Sequence, residues 1–404
     1  MNSQTTYARR SNKIHSMKIF SGFHLLAIVL LSSLMANSVP AAQNTSGTLL
    51  FVGTYTGAKS KGIYAYRMDA EGKLTSLGLA AETRNPTFLA LHPNRRFLYA
   101  ANEIGNFDGT KAGAIAAFSI DAVSGKLTLL NQQSSGGDGP CHLIVDSTGK
   151  NVLAANYNGG SVCSLPINQD GSLGKSTTFI QHKGSSVNPQ RQQGPHGHCI
   201  ITDAANRFAL ACDLGLDQIL IYQFDANKGL LKPNDPPFGS VAPGSGPRHI
   251  AFHPNGRIAY VISEMACTMT TFAYDAQRGA LKELQSVSTL PGPVERGFST
   301  AEVEVHPSGK FVYGSNRGHD SIVAFRVDEK TGTLTLIEHK PTQGKVPRHF
   351  EIDPSGNFLL AENQNSDTVV VFRIDQASGR LTATGYLAEV GSPVCIKFVP
   401  AAGR

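Results

Sequence analysis

A unit of about fifty residues recurs along this chain, and a repeat of that length restricts the fold to a solenoid, an array or a propeller. Six segments carry it: NPTFLALHPNRRFLYAANE from Asn85, GPCHLIVDSTGKNVLAANY from Gly139, GPHGHCIITDAANRFALACDL from Gly194, GPRHIAFHPNGRIAYVISE from Gly246, STAEVEVHPSGKFVYGSNR from Ser299 and VPRHFEIDPSGNFLLAENQ from Val346. Each reads as a short alternating strand, a turn rich in Pro, Asp and Gly, and an apolar second strand. A third strand follows, as in AIAAFSIDAVSGKLTLL from Ala114, IVAFRVDEKTGTLTLIE from Ile322 and VVVFRIDQASGRLTATG from Val369. There the Asp-x-x-x-Gly-x-Leu pattern marks a tight turn into an outer strand. The anchors Pro86, Pro140, Pro195, Pro247, Thr300 and Pro347 are 47 to 55 residues apart, enough for four short strands per unit. The two ends hold the missing pieces. A lone first strand lies at Gly391–Pro400, and second and third strands with nothing before them lie at Leu49–Thr56 and Gly62–Asp69. The chain is therefore predicted to be all-β, a seven-bladed β-propeller closed by pairing of its N- and C-terminal strands in one blade. A linear stack would need capping repeats, and none is present.

Composition agrees. The chain has 41 Gly and 21 Pro, and only 16% of its residues are charged, against about 25% in ordinary globular domains. Its formal charge of +6 is dispersed. No Lys/Arg run with interleaved aromatics suggests a nucleic-acid surface. The N-terminus differs from the body. Arg9, Arg10, Lys13 and Lys18 precede an apolar run from Leu25 to Leu31, and small residues follow at Ser38, Ala41 and Ala42. That order describes a secretory signal, and the run is short for a membrane span of about 20 residues. Residues 1–42 are read as the signal and 43–404 as one propeller domain, periplasmic or secreted, monomeric and free of the membrane once the signal is removed. The six cysteines form no CxxC, as expected of small residues buried in strands. Cys199 and Cys212 flank a turn and could face each other across a hairpin.

Alignment of the repeats produces two unusual columns. At the start of the first strand stand Thr87, Cys141, His198, Arg248, Ala301, Arg348 and Val394, with Phe88, His142, Cys199, His249, Glu302 and His349 beside them. At the end of the second strand stand Asn102-Glu103, Asn156-Tyr157, Asp213-Leu214, Ser263-Glu264, Asn316-Arg317 and Asn363-Gln364. In an antiparallel hairpin the start of one strand adjoins the end of its partner, so both columns belong at one mouth of the central channel. The recurring Asn residues suit backbone capping. His92, His253 and His306 recur in the turn at the opposite end and read as structural. Positions that break the repeat are more telling: His196 and His198 in GPHGH, Arg248, Glu264, Glu302 and Arg317. Together they supply an acid or base, cations for an oxyanion and carboxylates to hold them. His196 and His198 could share a metal with Asp213, Glu264 or Glu302, but no spacing dictates such a set, and no metal is expected.

At this point LFVGTYT from Leu50, GPHGH, GPRH and SNRGHDS from Ser315 resemble the bacterial lactonase family of seven-bladed propellers. That family includes a type of 6-phosphogluconolactonase and is related to fungal carboxy-cis,cis-muconate cyclase. The resemblance runs from about Thr48 to Pro400. It implies a hydrolase that opens the ring ester of a small sugar lactone without a cofactor. Its catalytic residues would be His196 or His198, Arg248, Glu264 and Arg317; from the two columns, Asp213, His249, Glu302, Arg348 and His349 are expected around the substrate. The alternatives are a muconate-type lactonising lyase and a non-enzymatic binding propeller, because this architecture hosts many functions. Export sets the chain apart from enzymes that act on phosphorylated sugar lactones in the cytoplasm, so a different lactone is an open expectation.

Overall fold

The computed structural model describes residues 47–399; the segment read as a signal, residues 1–42, lies outside them. Twenty-eight strands form seven antiparallel sheets of four. In chain order, blades one to six span Pro86–Ser134, Pro140–Gln181, Gly197–Ser240, Pro247–Ser288, Ser299–Pro341 and Pro347–Glu389. Blade seven takes its first strand, Pro393–Phe398, from the C-terminus and its other three, Thr48–Thr54, Gly62–Met68 and Leu74–Glu82, from the N-terminus. Leu50 pairs with Phe398 and Val52 with Ile396, the expected closure.

Burial within a blade explains its sequence. The second strands, such as Phe97–Asn102 and Phe358–Asn363, are buried along their whole length. A neighbouring blade covers each of their faces, so they read as unbroken apolar runs. The outer strands meet solvent and are far more polar, as in ALKELQSVS at Ala280–Ser288. Apolar layers fill the spaces between blades: Leu50, Val52 and Tyr66 of blade seven pack with Leu360, Val369 and Val371 of blade six.

Polar staples join the blades as well. Tyr99, Tyr260 and Tyr313 each donate a buried hydroxyl to a glycine carbonyl of the next blade, at Gly171, Gly332 and Gly379. Each such bond contributes about 1 kcal/mol. The rings of His92, His253 and His306 bond the carbonyls of Gly149, Gly309 and Gly356 in the following blade's turn. Gly309 has φ +74°, and a Cβ there would fall 2.7 Å from the His253 ring, so the turn needs glycine twice over. The Asn column caps as expected: Asn316 donates to the Thr289 carbonyl and Asn363 to that of Thr342. Cys199 and Cys212 are paired in register, yet both are free thiols, as are the other four cysteines.

One local feature repeats in all seven first strands. The register slips by one residue near the strand start, placing two residues against one. Such bulges re-aim side chains. The extra residues are Thr87, Cys141, His198, Arg248, Arg348 and Val394, with Ala301 and Glu302 sharing the slip in blade five. Adjacent residues that strict alternation would send to opposite faces can therefore both serve the channel.

Candidate active site

The repeat-breaking residues meet at one end of the channel around Glu264. This carboxylate, 5% exposed, pairs with three guanidinium groups. Arg191 Nη2 lies 2.7 Å from Oε1, Arg317 Nη2 2.9 Å from Oε2, and Arg248 Nε 3.3 Å from Oε2. Burial alone would raise the Glu264 pKa, but Arg317, Arg248 and Arg191 overcome it and hold the carboxyl far below the usual range. Arg248 is pushed down to about 10 by burial and by the neighbouring charges of Arg348 and Arg317, against the attraction of Glu264 and Glu302. Burial also lowers Arg317. The cluster is thus a set of crowded cations sharing one anion.

Both deep arginines are tied at their tips. Arg248 Nη1 donates to the Ala301 carbonyl at 2.6 Å and lies 3.2 Å from His249 Nε2. Arg317 Nη2 donates to the Thr300 carbonyl at 2.6 Å. Arg248 Nη2 and Arg317 Nη1 take no part in these contacts and can each donate to a ligand oxygen, a charge-assisted bond for which Arg is suited.

His196 and His198 flank Tyr157. The half-buried His196 ring stacks on Tyr157 with centroids 4.7 Å apart, and its Nδ1 lies 3.0 Å from the Tyr157 carbonyl oxygen. A carbonyl can only accept, so Nδ1 carries the hydrogen and Nε2 has the lone pair. His198 is buried, edge-on to Tyr157 and to His249, with Nδ1 3.7 Å from Cys141 Sγ. Burial, then Arg248 and His249, drive its pKa well down. The two histidines gain no third metal ligand. Among the described residues, three metal-capable atoms converge only at Glu304, His349 and Glu351, deeper in the channel, where Lys397 already pairs with Glu351.

Beneath the mouth the axis narrows to a cavity of about 10 Å³ lined by Arg248, His249, Glu302, Arg348, His349 and Cys141 among others, room for roughly one water. It is too small for a sugar-sized ligand. The residues expected to surround substrate divide accordingly. His249 bonds Glu302 at 2.9 Å, and His349 bonds Glu362 at 2.7 Å with Glu302 3.4 Å from its other nitrogen. These three form a buried layer that supports Arg248 from below. Arg348 lies over the Tyr55 ring at 5.5 Å, and Tyr55 donates to Glu103. Burial would weaken the Arg348 charge, but Tyr55, Glu103 and Glu264 more than restore it. Asp213 is fully buried and plays a different part. It bonds His182 at 2.6 Å and accepts from the His196 and Gly215 backbone amides. It holds the GPHGH segment in place and is not free for substrate.

Sequence reasoning missed Arg191, which reaches Glu264 from residues 182–196 between blades two and three. Such a residue has no column in the repeat. The only signal was the length of the insertion that carries it.

A family model described as "Lactonase, 7-bladed beta-propeller" matches residues 49–398. The chain belongs to this lactonase family. A 6-phosphogluconolactonase of Bacillus subtilis is 39% identical over 301 residues, which covers 74% of this chain and 83% of that one. A 6-phosphogluconolactonase of Formosa agariphila is 36% identical, over 74% of this chain and 85% of that one. Among solved structures, the periplasmic gluconolactonase of Pseudomonas aeruginosa superposes with a TM-score of 0.82 at 34% identity, covering 88% of this chain and 99% of that one. This lactonase is a hydrolase of carboxylic esters. Among the described residues, no helix is long and apolar enough to cross a membrane.

Proposed function

We propose that the channel mouth hydrolyses the ring ester of a sugar lactone. The observation that carries this reading is the grouping of Arg248 and Arg317 on one buried carboxylate, joined through Arg191 to Tyr157, on which His196 stacks with its Nε2 lone pair available. His196 Nε2 takes a proton from water as the water oxygen bonds to the ester carbonyl carbon. Arg248 and Arg317 stabilise the oxyanion that forms. The ring C–O bond then breaks, the ring oxygen takes the proton from His196 and leaves as a hydroxyl, and the carboxylic acid so formed gives its proton to solvent, leaving a carboxylate on the arginines until release. Glu264 is a poor base because three arginines hold it ionised, and its role is to fix and neutralise them. His198, kept neutral by burial, packs the wall behind the ring pair. The enzyme is expected to act as a monomer after export to the periplasm or beyond, which the basic-then-apolar N-terminus supports.

The test is acid release above the spontaneous rate from a panel including glucono-δ-lactone and 6-phosphoglucono-δ-lactone. His196→Gln should lower kcat by about 100-fold or more, the usual contribution of a general base. His198→Gln should cost much less. The reverse order would transfer the base to His198, and no acceleration on any lactone would refute the reading.

A further inference from the structure

The connection that carries Arg191 is unlike its counterparts. Residues 182–196 link blades two and three, whereas the other blade-to-blade links run 83–85, 135–139, 241–246, 289–298, 342–346 and 390–392. The insertion is a pinned strap. His182 at its start bonds Asp213, and Ser186 donates to Asp217 at 2.6 Å. Gln192, fully buried, donates to the Leu214 carbonyl and accepts from the Asn188 amide. Asn188 in turn accepts from the Gln190 and Arg191 amides. A strap anchored on both sides of Arg191 presents that side chain from a defined place at the rim.

Arg191 differs from the arginines below it. Its side chain is 43% exposed, against 3% for Arg248 and 13% for Arg317. Its bonds to Tyr157 Oη at 3.0 Å and Glu264 at 2.7 Å both leave from Nη2, so Nη1 takes no part in them and is left to donate to a ligand. The mouth carries four guanidinium groups, on Arg191, Arg248, Arg317 and Arg348, against the carboxylates of Glu264 and Glu103. Oxyanion stabilisation uses the two deep arginines. Of the other two, Arg348 lines the narrow cavity below, and Arg191 is the one exposed at the rim.

We propose that Arg191, with the Tyr157 hydroxyl, is a specificity-determining subsite for an anionic substituent, phosphate or carboxylate, carried by the lactone away from its ring ester. The proposal rests on the lactonase reading above. An anion at the rim can accept a charge-assisted hydrogen bond from Arg191 Nη1, while the Tyr157 hydroxyl, which accepts from Arg191 Nη2, still has its own hydrogen to donate.

Arg191→Ala and Arg191→Lys are compared with the wild-type full chain on three substrates: neutral glucono-δ-lactone, 6-phosphoglucono-δ-lactone, and a lactone of glucaric acid bearing a carboxylate. Arg191→Ala should lower kcat/KM on a charged lactone at least tenfold more than on the neutral one, chiefly through KM. Arg191→Lys should recover only part of that difference, since it keeps the charge and loses the fork. Selective loss on the phosphorylated or the carboxylated substrate identifies the anion. Equal losses on charged and neutral lactones would overturn the proposal, because Arg191 would then only position Glu264; no loss on any of them would overturn it too. Wild-type activity confined to the neutral lactone would also overturn it while leaving the lactonase reading intact, whereas no activity on any substrate would refute that reading itself. Should the alanine variant misfold, wild-type KM supplies the test: it should rise with salt for the charged lactone and not for the neutral one.

Discussion

Replacing Glu264 with Gln removes the one negative charge on which Arg191, Arg248 and Arg317 converge, with almost no change in shape. Arg248 and Arg317 would remain largely buried without their shared counter-ion. Leaving a buried charge unpaired costs about 3–5 kcal/mol. Half-exposed Arg191 adds little, because water screens it. With an unfolding entropy of roughly 2 cal/mol/K per residue, that loss corresponds to about 4–7 °C in Tm for a domain of this size. The acid limb of stability should change as well. The folded-state pKa of Glu264 is depressed, so its stabilisation is present above the unfolded carboxylate value of about 4.3 and is lost as pH falls toward the folded value. In Glu264→Gln that contribution is absent at every pH, so the gap from wild type should be widest above about pH 5 and should narrow on acidification. Thermal unfolding from pH 3 to 8 tests both points. Added sulfate should recover more of the variant's Tm than of the wild type's, since an anion can replace the lost carboxylate. A variant that unfolds within 1 °C of wild type at pH 7, with an unchanged acid limb, would refute the description of this cluster as cations held by one anion.

Two further outcomes follow from the same geometry. Arg248→Ala should lower kcat by about 100-fold, the usual cost of one oxyanion donor, as read by lactone hydrolysis; a loss below about threefold would remove Arg248 from that role. Lys397→Met should destabilise the deeper channel by about 3 kcal/mol at neutral pH. Burial raises Glu304 and Glu351, and Lys397 opposes that rise from beside Glu351. Without it the folded-state carboxyl pKa values climb further, so the deficit should shrink as pH falls through those raised values, which lie above the ordinary value of about 4.3, because the folded carboxyls are then protonated with or without Lys397. Chemical denaturation at pH 7 and pH 4 checks this, and an equal deficit at both would count against a charge-based role for Lys397.

The ring was legible from sequence because its elements are local and repeated. Each blade buries the same alternating strands with the same turns, and the orphan strands at the two ends have no stable partners except each other. The end of the channel holding Arg248, Glu264 and Arg317 followed from strand direction alone. The division of labour among those residues did not. A one-residue bulge at each first-strand start decides which neighbours serve the axis, and no residue type announces it. Asp213 stands one place before the Glu264 position, where blade four has Ser263, and it is consumed by His182 and two backbone amides. His249, Glu302 and His349 carry the chemistry of a binding site but lie in a closed layer beneath it. Arg191 comes from outside the repeat. Periodicity along the chain determined the blades; only packing around the axis decided which charges share a partner, because that depends on distances between residues far apart in sequence.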